Sequence, residues 1–307
     1  VTLSKNLYYT DPDGPDGPLP LECDPLKAGR YLCDEIGKRL TSSIGQSLVY
    51  DDTDGYHPTR GQRLVFAQDF AGLGGNVKYI RTRADATKYH SFRGGWILSG
   101  HIEGGYIHPL QKSPGPGRDP VRLTDRFFGQ NIRGFDIRGI GPRVVRIPYD
   151  SDGNLMDVDI NSRNVITDAL GGHAYYMGRV ELEVPVSASI RSLGLRPSAF
   201  IDVGSVWGLK TPNLIDIPGT CTPTVAGGTQ VILAPGQTAA DCGADTIFAP
   251  GFKEIFLGNS PKPRVSIGFG VNWVSPFGPL RLDIAKAVIK QRGDDTKIFS
   301  FNVGTQF

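Results

Sequence analysis

The sequence predicts an all-β protein whose antiparallel strands cross a membrane as a β-barrel. Three observations predict it. Apolar and polar residues alternate with a period of two along most of the chain. Aromatic residues gather at or near the ends of the apolar faces, namely Tyr50, Trp96, Tyr106, Trp207, Trp273 and Phe307, as a girdle at two membrane–water interfaces requires. Connections alternate between tight ones such as "SPFGP" and "RGDD" and long Gly/Pro-rich ones at 10–40 and 209–262, which matches short turns at one barrel end and long loops at the other. Alternation alone also fits a soluble sandwich, in which the apolar faces meet inside. The aromatic ends, and polar faces carrying small residues and charges of both signs, decide for the barrel.

The elements follow in chain order. Five segments near 2–9, 41–51, 62–71, 77–89 and 95–108 alternate loosely. The clearest, "WILSGHIEGGYIH", sets Trp96, Leu98, Ile102 and Tyr106 against Ser99, His101 and Glu103. Residues 109–172 show no strand period. Then "AYYMGRVELEV" opposes Tyr176, Val180, Leu182 and Val184 to Arg179, Glu181 and Glu183, and "SAFIDVGSVW" opposes Ala199, Ile201, Val203 and Trp207 to Ser198, Phe200, Asp202 and Gly204. "RVSIGFGVNWV" is the most regular, with Val265, Ile267, Phe269, Val271 and Trp273 on one face. After "SPFGP" come Leu280, Leu282 and Ile284, and the last segment carries Phe299, Phe301, Val303, Thr305 and Phe307. These make ten strand segments.

Composition excludes several function classes. A net charge of +2 with 21% charged residues gives no bulk field for nucleic acid. No apolar run is long enough to cross a bilayer as a helix, whereas a strand needs only about 9–11 residues to cross. The cysteines fall in two local pairs, Cys23 with Cys33 and Cys221 with Cys242, which suits two loop-closing disulfides in an oxidising compartment. No Cys/His spacing for zinc exists, and the five histidines are scattered, with His101 and Glu103 an ordinary polar pair on a wet wall. No metal, cofactor or catalytic constellation is expected, and the chain is not read as an enzyme. "DPDGPDG" at 11–17 lacks an EF-hand's oxygen spacing, and "GLGGN" at 72–76 joins two strands rather than a strand and a helix. Val1 already lies in strand pattern, so the chain reads as a processed piece or fragment.

The stretch 109–172 is too apolar for a disordered loop. "LTDRFFGQNIRGFDIRGIGPR" holds Phe127, Phe128, Ile132, Phe135, Ile137 and Ile140, enough to fold back against something. Its arginines then need carboxylates. Parity puts Glu181, Glu183, Asp202 and Asp283 on the polar face.

"IRGF" at 132–135 with "GIGPR" at 139–143, followed in order by "ELEVP", "FIDVGSVW", "WVSPFGPLRLDIA" and "FSFNVGTQF", resembles the Omp85 superfamily, and within it the BamA-type outer-membrane assembly factors. "YDDTDGYHPTRGQRL" is similar to a turn of the same family. The resemblance spans residues 40–307 and implies the C-terminal ten or so strands of a sixteen-stranded barrel, occupying 1–307, with 109–172 as a loop entering the lumen. It implies first strands and periplasmic repeats lying outside this chain. It further implies that Arg133 anchors the loop, flanked by Ile132, Gly134 and Phe135, with Glu183 and Asp202 as its partners on the wall. Phe299, Phe301, Val303, Gly304 and Phe307 resemble the terminal-strand signal of outer-membrane proteins. The implied function is folding and insertion of barrel proteins at a lateral seam beside the last strand. The implied partners are membrane lipid, unfolded client proteins and accessory lipoproteins, with no nucleic acid. A protein-secreting or autotransporter-assembling relative of the same superfamily and a passive porin-like channel remain as alternatives.

Overall fold

A computed structural model describes residues 8–9, 22–23, 31, 40–55, 57–129, 132–150, 152–157, 165–224, 229–234, 237–275 and 278–303. The strands are β1 (Tyr8–Tyr9), β2 (Glu22–Cys23), β3 (Ser43–Asp51), β4 (Gly61–Ala71), β5 (Tyr79–Ser91), β6 (Ile97–Pro109), β7 (Arg143–Pro148), β8 (Ile166–Ala169), β9 (Ala174–Glu183), β10 (Leu195–Trp207), β11 (Asp216–Pro223), β12 (Val231–Ile232), β13 (Thr246–Leu257), β14 (Arg264–Ser275), β15 (Gly278–Ile289) and β16 (Phe299–Val303).

Nine of them form one antiparallel sheet in the order β16-β15-β14-β10-β9-β6-β5-β4-β3. Neighbours in space are neighbours in sequence except where the two long connections, β6 to β9 and β10 to β14, leave and return. These are the segments that the alternation marks, with one correction. The segment near 2–9 is seen only as β1, which pairs with β2 rather than with the large sheet; the rest of it lies outside the described residues.

Burial along these strands is inverted relative to a soluble protein. Ile201, Ile267, Phe269, Ile284, Leu48 and Ile102 are exposed, Leu48 and Phe269 each at 71%, while Asp202, Ser266 and Asp283 on the opposite face are buried at 0–1%. Direct pairing aligns Ile201 with both Val180 and Ile267, and Phe269 with Ile284, so the apolar residues of neighbouring strands form one outward band. Water gives no reason to bury carboxylates and expose phenylalanine; lipid does. Among the described residues no helix is long and apolar enough to cross a membrane, which says nothing against strands.

The stretch 109–172 and the connection 209–262 hold more order than the alternation indicates. β7 and β8 from the first pair with β11, β12 and β13 from the second in a separate five-stranded sheet, order β12-β11-β13-β7-β8. Pairing of Leu257 with Arg143 and of Phe256 with Val144 ties the two connections together. β7 carries no period because Arg143, Val144, Val145 and Ile147 are all buried, and β11 and β13 are interrupted by Pro218, Pro223 and Pro250, which read as strand breakers. The turn holding "RGDD", expected among the short turns, lies between β15 and β16 at the same end as the two long connections, as up-and-down order requires.

Candidate functional site: a guanidinium socket on the inner wall

The loop between β6 and β7 descends over the polar face of the large sheet and ends its descent at Ile132–Phe135. Ile132 and Phe135 are buried with Ile140, Tyr175, Met177 and Val206, an apolar contact of about 1.5–3 kcal/mol for each fully buried side chain. The wall is cut to receive them. Gly204 on β10 leaves the space that Ile132 fills, since a Cβ there would stand 2.5 Å from the Ile132 Cδ1. Gly134 sits at φ +87°, and a Cβ on it would come within 3.0 Å of the Ser266 Cβ, so a residue without a side chain serves both the turn and the close approach.

Between these residues Arg133 is 6% exposed and points into the wall. Its Nε and Nη2 donate to the two oxygens of Asp202, at 2.8 and 2.6 Å, and its backbone N–H donates to Asp202 Oδ2 at 3.1 Å. Its Nη1 donates to Glu181 Oε2 at 2.9 Å and lies 3.7 Å from Asp283 Oδ1. The guanidinium stacks on Phe200, 3.2 Å from the ring centre, where the ring's negative face attracts it. A bidentate fork over a carboxylate is the geometry that arginine has and lysine lacks.

The acids are themselves held. Glu181 Oε1 accepts from the Ser198 hydroxyl at 2.6 Å and from Arg281 Nη2 at 3.0 Å. Arg281 Nε donates to Asp283 at 2.9 Å and its Nη1 to Asn272 at 3.0 Å. Arg179 Nε donates to Asp202 Oδ1 at 3.1 Å. The wall thus offers three carboxylates, Glu181, Asp202 and Asp283, against two guanidiniums, Arg179 and Arg281, and Arg133 brings the third. Four strands, β9, β10, β14 and β15, supply the pieces.

The loop is also sewn to the connection between β15 and β16. Lys297 N–H donates to Gly134 O at 3.2 Å, Asp136 N–H to Asp295 O at 3.1 Å, and Asp295 N–H to Gly139 O at 2.8 Å, and Phe135 bridges Thr296. Beside it, Arg264 and Asp294 are both fully buried and 3.1 Å apart, with Arg264 also donating to Ser205 and to the carbonyls of Gly258, Ser260 and Lys262.

One partner expected from the sequence differs. Glu183 does not reach Arg133; it lies 3.7 Å from Arg196. Glu181, one same-face position earlier on β9, takes the place, because the alternation that puts both on the polar face cannot fix how deep the loop descends. Arg179, Arg281, Asp283 and Phe200 complete the socket, and Phe200 is legible only as an aromatic standing on the wrong face. Phe299, Phe301 and Val303 lie exposed on β16, which pairs with β15 and forms one edge of the sheet among the described residues; Gly304 and Phe307 lie outside the described residues. Cys221 and Cys242 form a disulfide. Cys33 lies outside the described residues, as does the side chain of its expected partner Cys23.

The family model for the Omp85 superfamily domain matches residues 6–307. The chain belongs to the Omp85 superfamily. It is 28% identical over 273 residues to an outer membrane protein assembly factor BamA of Neorickettsia risticii, covering 88% of this chain and 28% of that protein. It is 25% identical to the BamA of Neisseria meningitidis serogroup B over 81% of the chain and 26% of that protein. A sorting and assembly machinery component 50 homolog B of Xenopus laevis is 28% identical over 54% of the chain and 31% of its own length. The crystal structure of BamA from Haemophilus ducreyi lacking POTRA domains 1–3 matches with a TM-score of 0.53 at 20% identity, over 84% of this chain and 41% of that one. That likeness establishes the fold, an antiparallel barrel. The chain spans under a third of the length of these curated relatives.

Proposed function

We propose that this chain is the C-terminal portion of the barrel of an outer-membrane assembly factor of a Gram-negative bacterium, which folds β-barrel proteins and inserts them into the membrane without covalent chemistry. The observation that carries the reading is the hydrogen-bonded join between the Arg133 loop and the connection leading into the edge strand β16. An edge strand presents unpaired N–H and C=O groups to which a client strand can add. A loop pinned by a buried guanidinium and bonded to residues 295–297 fixes where that edge stands. The client is an unfolded outer-membrane protein, the surroundings are membrane lipid acting on the outward apolar band, and accessory lipoproteins act on parts of the full-length protein. The names of the curated relatives support the same class of activity.

The test is reconstitution of the full-length protein in lipid vesicles with a urea-unfolded barrel client, following the client's folding by its altered gel mobility. The expected result is faster client folding than in empty vesicles, reduced at least severalfold by Arg133→Ala. No acceleration, together with a steady conductance that does not depend on client, would replace this reading with that of a passive channel.

A further inference from the structure

A second group of ionisable side chains stands on the inner wall apart from the Arg133 socket. Pairing of β5 with β6 places Asp85 directly opposite Glu103, and His101, on the same face of β6, opposite Thr87. Like charges facing each other across an antiparallel pair repel, so these two carboxylates need positive charge between them. Of the guanidiniums nearby, Arg63 lies 3.6 Å from Asp51 and Arg179 donates to Asp202. His101 lies between the acids, its Nδ1 3.2 Å from Asp85 Oδ2 and its Nε2 3.8 Å from Glu103 Oε2. The Thr87 hydroxyl, 2.9 Å from the same Nδ1, holds the ring toward β5. Among the described residues Glu103 Oε1 is buried and receives no hydrogen bond, and a buried carboxylate oxygen without a donor is costly.

We propose that Asp85, His101 and Glu103 bind a first-row divalent cation, zinc foremost, on the lumen wall. One ligand atom from each residue lies within 4.8 Å of the others. Oxygen and nitrogen donors at about 2.0–2.1 Å from zinc stand roughly 3.4 Å apart, so His101 Nδ1 and Asp85 Oδ2 already have that spacing; zinc on Nδ1 displaces the Thr87 hydroxyl, and the Glu103 carboxylate has to move in. Two carboxylates and an imidazole neutralise a dication and suit zinc better than calcium, which takes six or more oxygens. The ligands sit on paired strands, which hold their backbones fixed, and the wet side of the wall leaves the remaining coordination positions to water. A cation here removes the repulsion and satisfies the orphaned oxygen in one step. Along the sequence His101 and Glu103 are an ordinary polar pair on a wet wall; Asp85 arrives across the ladder, from β5. The site does not depend on the assembly reading.

The test uses the untagged full-length protein in detergent micelles, stripped with chelator and titrated calorimetrically with zinc chloride. Binding should include a site filled by one ion per chain that is lost in His101→Ala and weakened at least about tenfold in Glu103→Gln. The glutamine variant relieves a repulsion and keeps the fold, which unchanged gel mobility verifies. Wild-type protein without such a site, or equal zinc binding by wild type and both variants, would overturn the proposal.

Discussion

At the scale of single residues, the wall explains why one arginine matters more than its neighbours. Without Arg133 the socket holds three carboxylates and two guanidiniums, with Asp202 at 0% exposure. Removing one partner of a buried ion pair leaves uncompensated charge and costs about 3–5 kcal/mol. Arg133→Ala should therefore lower stability by roughly 3 kcal/mol or more, read from urea unfolding in lipid vesicles. Arg133→Lys should recover only part of this, because an ammonium cannot span both oxygens of Asp202 while reaching Glu181. The two glutamates of β9 separate the structural account from the sequence expectation. Glu181→Gln should cost about 2 kcal/mol by weakening charged hydrogen bonds to two arginines, whereas Glu183→Gln, at 28% exposure beside Arg196, should change stability by less than about 1 kcal/mol. Equal effects would place the loop one residue pair lower than described.

At the scale of elements, the two long connections are held together by discrete ties. Asp119, in the first, accepts from His173 Nε2 at 2.6 Å and from the backbone N–H of Lys210, in the second, at 3.1 Å. Burial pushes its carboxyl up, but the hydrogen bonds from His173 and Lys210 outweigh this and hold it below the usual carboxylate range. A carboxyl lowered on folding stabilises above its unfolded pKa, near 3.9, and the contribution disappears as pH falls through the folded value. Asp119→Asn should then cost about 2 kcal/mol at neutral pH, and the difference from wild type should shrink under acid; thermal melts across pH check both. The Cys221–Cys242 disulfide closes a 21-residue separation, for which the chain-entropy estimate is about 3 kcal/mol. It joins β11 to the segment before β13, outside the large sheet. Reduction should make 222–241 protease-sensitive while the nine-stranded sheet stays folded, as limited proteolysis followed by gel mobility can show.

At the scale of the whole molecule, what the sequence made legible is what lipid and water write onto strands. Where a strand has one face to each, as in β14 with Val265, Ile267, Phe269 and Val271 outward, the alternation is clean and its limits are read closely. β7 and β13 escape notice because the five-stranded sheet lies where that contrast is lost: Val144, Val145, Ile147 and Glu254 are buried together whatever their parity. The socket was half legible for the same reason. Parity puts Glu181, Glu183, Asp202 and Asp283 on one side, yet pairing register and loop depth are properties of distant segments meeting, and they decide between Glu181 and Glu183. Asp85 beside His101 and Glu103 is likewise a fact of register, absent from any one strand.

The loop is locked to the wall by direct coupling of Arg133 to Asp202, inside a barrel whose apolar face meets lipid. A double-mutant cycle of Arg133→Ala and Asp202→Asn, measured by unfolding in vesicles, tests it most directly. Strong non-additivity is expected, a coupling of roughly 2 kcal/mol or more; effects that add to within about 0.5 kcal/mol would show that the two side chains are not coupled.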